Sequence, residues 1–206
     1  GGGNALGDAF KSLSLLRDDA PFRHFVITRA LLLCSALASP YFVVLAQKNS
    51  DTGWLLGVFL LASSLASSIS ASVWGWMADE SSRRVMIRGA IVASGACLTV
   101  GLTALFAGEA TSSIWFYPAG FFVLSIAHAG VRLGRKTYLV DMAGGNKRTD
   151  YTSVSNTVIG VLLLATGGLT ALVSMISDVA VILTLGAMGL AGAISATRLR
   201  EVTEDQ

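Results

Sequence analysis

An all-α, polytopic transmembrane bundle of six spans is the fold class the sequence predicts, on three observations. Six stretches carry no Lys, Arg, Asp or Glu: 30–47, 52–78, 89–108, 110–131, 151–177 and 179–197, each of 18 to 27 residues. A hydrocarbon core of about 30 Å needs about 20 apolar residues in a helix rising about 1.5 Å per residue, so each stretch is long enough to cross it. Composition agrees: 53% of the 206 residues are hydrophobic and 14% are charged, against about 25% charged in soluble domains. The third observation is the placement of charge. When alternate connections are assigned to opposite sides, fourteen of the fifteen Lys and Arg fall on one side and Lys48 stands alone on the other.

Only helices and closed barrels satisfy their backbone within lipid, and none of these runs shows the alternating ten-residue pattern of a barrel strand. Six consecutive spans also leave too little polar sequence to coat a soluble core. The excess of cations marks the cytoplasmic side. A multi-pass protein of the cell (inner or plasma) membrane is therefore expected, with both termini and the 79–88 and 132–150 connections cytoplasmic. Acidic residues divide 10 to 3 in the same direction, but they contribute little to orientation. The bilayer is the first partner implied, and no basic cluster suggests nucleic acid.

Residues 1–24 are Gly-rich and polar, and are expected to form a cytoplasmic linker with an amphipathic fragment around Phe10, Leu13, Leu15 and Leu16. The chain starts on Gly-Gly-Gly with no initiator Met and no signal peptide, which reads as an incomplete chain entered through a flexible linker. The first span is expected at about 25–47 and carries Pro40. The second, about 53–78, is dense in small residues: Ser63, Ser67, Ala71 and Gly75 form one row at four-residue spacing, and Ser64, Ser68 and Ser72 the next. Lipid offers little hydrophobic drive for helix association, so small faces that allow close approach predict tight packing of this span on a neighbour.

The third span is expected at about 85–107, with Gly95 and Gly101 in its faces, and the fourth at about 112–133, with Pro118. A cytoplasmic loop over about 134–150 follows, then spans at about 151–176 and 178–198 and a cytoplasmic tail over 199–206. Small residues recur in the last span at Gly186, Ala187, Gly189, Ala191 and Gly192. Cys34 and Cys97 both fall within spans, where a thiol behaves as a small apolar side chain, and they form no metal-spacing motif.

The most informative short motif is Gly75-Trp76-Met77-Ala78-Asp79-Glu80-Ser81-Ser82-Arg83-Arg84, between the second and third spans. A glycine permits close approach at one helix end, and Asp79 stands where it can meet a helix N-terminus or an arginine. Arg83 and Arg84 anchor the next helix at the headgroups. The motif resembles the cytoplasmic-loop signature of the major facilitator superfamily, Gly-x-x-x-Asp-(Arg/Lys)-x-Gly-(Arg/Lys)-(Arg/Lys). Gly75, Asp79, Arg83 and Arg84 match it, while Glu80 and Ser82 depart from it. A second segment, Val131-Arg132-Leu133-Gly134-Arg135-Lys136-Thr137-Tyr138-Leu139-Val140-Asp141, with Arg148-x-x-Tyr151-x-x-x-x-Asn156 after it, is similar to the loop between the tenth and eleventh helices of bacterial permeases of that superfamily.

The order of features resembles the C-terminal six-helix half of such a transporter. That resemblance implies two inverted three-helix repeats and secondary active transport of a small solute by alternating access about a site near the midplane. It implies that the first and fourth spans line the path, the second and fifth meet the other half, and the third and sixth face lipid. It further implies that Asp79 braces the inward-closed state against an N-terminal six-helix half lying outside these 206 residues.

The fourth span carries a stripe of Tyr117, Phe121, Ser125, His128 and Arg132 at three- and four-residue steps. It is either a packing face or a substrate path. His128, a membrane-embedded ionisable group, either relays a proton or contacts solute, or else serves a structural hydrogen bond. Arg29 either snorkels to the interface or projects into the cavity mouth. Pro40 and Pro118 are candidate helix bends suited to gating.

No Asp or Glu lies deep within a span, so a proton-coupling carboxylate would have to sit on the other half. No nucleotide loop, catalytic pair, metal cluster or cofactor motif is visible, so no enzyme activity, metal or cofactor is expected. Two rival readings stay open: a half-size transporter acting as a homodimer, and a non-transporting membrane scaffold or assembly protein.

Overall fold

The computed structural model describes residues 14–50, 53–144 and 148–202. Besides a short helical stretch at 14–18, they form seven α-helices: α1 (Ala20–Leu31), α2 (Cys34–Asn49), α3 (Leu55–Glu80), α4 (Ser82–Phe106), α5 (Phe116–Ala143), α6 (Arg148–Ser174) and α7 (Asp178–Thr197). A short 3-10 turn, Gly108–Ser112, joins α4 to α5, and no strand occurs among the described residues. With α1 and α2 taken as one interrupted span, six segments are long and apolar enough to cross a membrane, which points to a multi-pass membrane protein. Phe10 and Leu13, the cations Lys11 and Lys147, Asp51 and the last four residues lie outside the described residues; Leu15 and Leu16 fall in a short helical stretch at 14–18.

The first span begins earlier than expected. Asp19 caps α1 by accepting from the Phe22 amide at 3.0 Å, and Pro21 occupies the first turn, where its missing N–H costs nothing. The 1–24 segment is therefore not all linker.

The interruption between α1 and α2 lies at Leu32 and Leu33, where the Leu33 amide bonds back three residues to Ala30. The carbonyl of Leu32 is taken up by the Ser35 hydroxyl at 3.1 Å, a side-chain insertion into the backbone ladder of the kind that breaks helices. Pro40, the residue expected to bend this span, stands inside α2, which runs through it. Pro118 is the third residue of α5, in a first turn whose amides lack intrahelical partners anyway.

The greatest difference lies in α5. A loop expected over 134–150 is helical to Ala143, and the helix ends where Gly144 takes φ 42°. The basic cluster at 132–136 reads as a span boundary, yet Arg, Lys and Leu are good helix formers and no proline intervenes. Gly134 is a packing site: a Cβ there would meet the Met86 amide nitrogen and the Ser82 carbonyl oxygen at 2.9 Å each. Gly89 answers it from α4, where a Cβ would meet the Ala127 carbonyl and Val131 at 3.0 Å.

α4 is the centre of the bundle and packs most extensively on α5 and α7, while α3 packs on α5. The small face expected on the last span is used: a Cβ at Gly186 would meet Leu98 at 2.9 Å, and one at Gly192 would meet Leu32 at 2.8 Å. The prediction for the second span fails in detail. The row of α3 that packs is Ala66, Ser70, Trp74 and Ala78, whereas Ser64, Ser67, Ser68, Ala71 and Ser72 are exposed. Trp74 seats this row by lying over Gly130 and donating from Nε1 to the Ile126 carbonyl at 2.8 Å. Among the six spans, α3 and α6 are the least buried.

Contacts at the two ends confirm that successive spans alternate in direction. At one end Asp19 accepts from the Tyr151 hydroxyl, Tyr138 donates to the Arg200 carbonyl at 2.9 Å, and Arg83 pairs with Glu201 at 3.2 Å. At the other, Lys48 pairs with Asp178 at 2.6 Å, Asn49 donates to the Tyr117 hydroxyl at 3.2 Å, and the Trp54 and Trp115 rings lie 6.0 Å apart. The first is the basic end.

Candidate functional site

The α5 stripe divides into two parts. Tyr117 is buried in the main apolar core, and Phe121 meets Phe59 of α3 edge-on at 4.8 Å. Tyr117 thus serves the core, and Phe121, partly buried, packs against it. Ser125 and His128 are half-buried and Arg132 is exposed. Helical geometry places Arg135 seven residues after His128, on the same face, which continues the polar part of the stripe.

His128 is held from α2. Its Nδ1 lies 3.1 Å from the hydroxyl of Ser35, the side chain that also accepts the role of capping the Leu32 carbonyl. A polar connection thus joins the centre of α5 to the break in the first span. The sequence suggests nothing special at Ser35, because a serine in an apolar run carries no positional signal until its neighbours are known.

Arg29, in the last turn of α1, does not snorkel to an end of the bundle. Its Nη1 donates to Ser155 at 2.6 Å and its Nη2 to Asn156 at 2.8 Å, both on α6. Ser155 is fully buried and Asn156 exposed. One turn earlier on α6, Tyr151 stacks on Phe22 at 4.4 Å, so α6 is pinned to α1 by an aromatic pair and a guanidinium. His24 adds a contact from α1 to α7, 3.2 Å from Ser195.

The four residues of the signature motif are separated. A Cβ on Gly75 would meet nothing within 4 Å, so the close approach expected there is made at Gly130 and Gly134 instead. Asp79 and Arg84 are exposed, and Asp79 makes no hydrogen bond or ion pair among the described residues. Arg83 turns to the end of the chain, donating from Nη1 to the Leu199 carbonyl at 2.9 Å as well as pairing with Glu201. Glu201 also accepts from the hydroxyl of Ser81, the N-cap of α4, at 2.8 and 2.9 Å.

Between α3 and α5 lies a groove of about 460 Å³ lined by Ser67, Ser70, Trp74, Gly75, Arg132 and Lys136. Of its two serines, Ser67 sits in a row of α3 left unpacked and Ser70 in the row that packs. Cys34 and Cys97 are buried free thiols, and no group of His, Cys, Asp and Glu among the described residues could hold a metal. The chain matches no protein-family model, no curated protein and no solved structure.

Proposed function

We propose that the chain is one six-helix half of a secondary transporter of the major facilitator type, moving a small solute by alternating access, with its basic end in the cytoplasm. The observation that carries this reading is the uncovered polar face of a membrane-spanning bundle. On α3 the exposed rows hold Ser64, Ser67, Ser68 and Ser72; on α6 they hold Thr152, Asn156, Gly160 and Gly168. No Cβ contact exists at Gly160, Gly167 or Gly168, whereas the glycines of α7 at 186, 189 and 192 are all filled. A helix surface facing only lipid gains nothing from hydroxyls, amides and empty notches, whereas a second protein wall or an aqueous path does.

These two helices correspond to the second and fifth spans, the pair that the resemblance sets against the other half. Arg132 and Lys136 of α5 line the groove beside α3, where a path between two halves would run.

The test uses the full-length protein with cysteine introduced at Ser67 or Ser125 and a membrane-impermeant maleimide. Alternating access predicts that both positions react in intact cells and in inside-out vesicles, with the balance shifted by transported solute. Reaction from one side only, at both positions, sinks the proposal and favours a scaffold.

A further inference from the structure

The basic residues near Arg29 lack a counter-charge. Arg29 meets only neutral acceptors, Ser155 and Asn156, and its Nε is buried with no hydrogen-bond partner. Arg135 also has a buried, unpartnered Nε, and makes no hydrogen bond or ion pair among the described residues. The contacts of Ser35 with His128 at 3.1 Å and of Phe25 with Tyr138 at 5.3 Å bracket Arg29 and Arg135 along the first span and α5, and set the two at one level of the bundle. Arg29 from α1, which reaches α6, and Arg135 from α5 thus stand at the same depth, each with a buried donor left over.

Three carboxylates are committed elsewhere: Asp19 to Tyr151 and the α1 cap, Asp178 to Lys48, and Glu201 to Arg83 and Ser81. Guanidinium groups are planar forks whose donors match a carboxylate or phosphate, and burying them unpaired is costly. A cluster of this kind in a membrane protein is stable when an anion shares the site.

We infer that Arg29 and Arg135, with Arg132, His128 and Asn156 beside them, form a binding site for an oxyanion, the carboxylate or phosphate group of the transported solute. The assignment to solute rests on the transporter reading above; the oxyanion site itself does not. Arg29 is already oriented by Ser155 and Asn156, so its fork is pre-organised. Arg135 supplies the unsatisfied donors, and the exposed Asn156 and Arg132 give the anion a way in from the uncovered face.

The experiment titrates the full-length protein, in phosphatidylcholine nanodiscs, with inorganic phosphate and with succinate at matched chloride ionic strength. Thermal unfolding and calorimetry are the readouts. The expected result is saturable stabilisation by at least one probe, with affinity lowered about tenfold or more in R135Q and in R29Q, the loss typical of a charge-assisted hydrogen bond. R88Q, on the exposed face of α4, should bind as the parent does. Arg135 anchors no other side chain, so R135Q keeps the test valid if R29Q fails to fold.

An equal response in R135Q, or no saturable response to either probe together with no lipid retained through Arg135, overturns the inference. A third arm uses nanodiscs containing phosphatidylglycerol and native mass spectrometry. Retention of that lipid through Arg135, with both soluble probes silent, assigns the oxyanion to a headgroup and overturns the solute assignment. Two-sided maleimide labelling without any anion response would remove this site and leave the transporter reading intact. Anion binding without two-sided labelling would do the reverse.

Discussion

Arg83 and Glu201 meet at 3.2 Å and tie the first turn of α4 to the chain beyond α7, at the end of the bundle where α1 also begins. The pair is partly shielded, with side-chain exposures of 26% and 17%, and Glu201 serves Ser81 at the same time. Replacing Glu201 by Gln should lower stability by about 1 kcal/mol. Combining it with Arg83→Gln should cost less than the sum of the two. A double-mutant cycle on thermal unfolding in detergent checks this, and strict additivity would show the pair to be uncoupled.

Gly134→Ala should destabilise by about 1–3 kcal/mol, because the new Cβ meets the backbone of α4 at 2.9 Å and backbone cannot swing aside. Gly160→Ala and Gly168→Ala meet open space. In the 206-residue chain they should be neutral, or stabilise by up to about 1 kcal/mol through helix propensity. In the full-length protein the same two changes should weaken stability or transport, since a second half would fill those notches. Neutrality of both in both proteins would count against a partner on α6.

Trp74 holds α3 to α5 by its indole N–H and its ring over Gly130. Trp74→Phe should cost about 1–2 kcal/mol, the loss of one partly buried hydrogen bond and some contact. Its sign in experiment is increased proteolysis or cysteine reactivity along α3, with α4 and α7 unaffected.

Lys48→Gln should cost about 1–3 kcal/mol, because it leaves the Asp178 carboxylate, 7% exposed, without its cation. Adding Asp178→Asn should recover part of the loss. Melting temperatures of the three variants decide it; a double variant no better than Lys48→Gln refutes the account.

Asp79→Asn should change stability by less than about 0.5 kcal/mol, since the side chain is exposed and unpaired among the described residues. If Asp79 braces the two halves, the same change in the full-length protein should shift maleimide labelling at Ser125 toward one side. Unchanged labelling would remove Asp79 from the gate.

Legibility differed sharply between residues. His128 and Arg132 were visible because ionisable groups in an apolar run stand out whatever surrounds them. Arg135 stands out as a residue but reads as part of a loop, since a run of charge marks a membrane boundary and a helix that outlasts its span equally well. Ser35, Ser155 and Asn156 carried no signal of their roles, which come from helices 93 to 127 residues away in sequence. The rows of α3 show the same limit: two small faces stand out in the sequence, and the row used is another, the one that brings Trp74 onto Gly130.

What the sequence by itself determined is the number of spans, their approximate places and the asymmetry of charge between the two ends. A bilayer of given thickness demands about 20 apolar residues per crossing whatever the neighbours are, so these properties belong to each segment alone. The tertiary structure decided the rest: where the first span breaks, how far α5 extends, which glycines are filled, and that Arg29 reaches Ser155 and Asn156. Those depend on the rotation and closeness of one helix against another, and lipid and protein surfaces share the same apolar periodicity, so only packing distinguishes them.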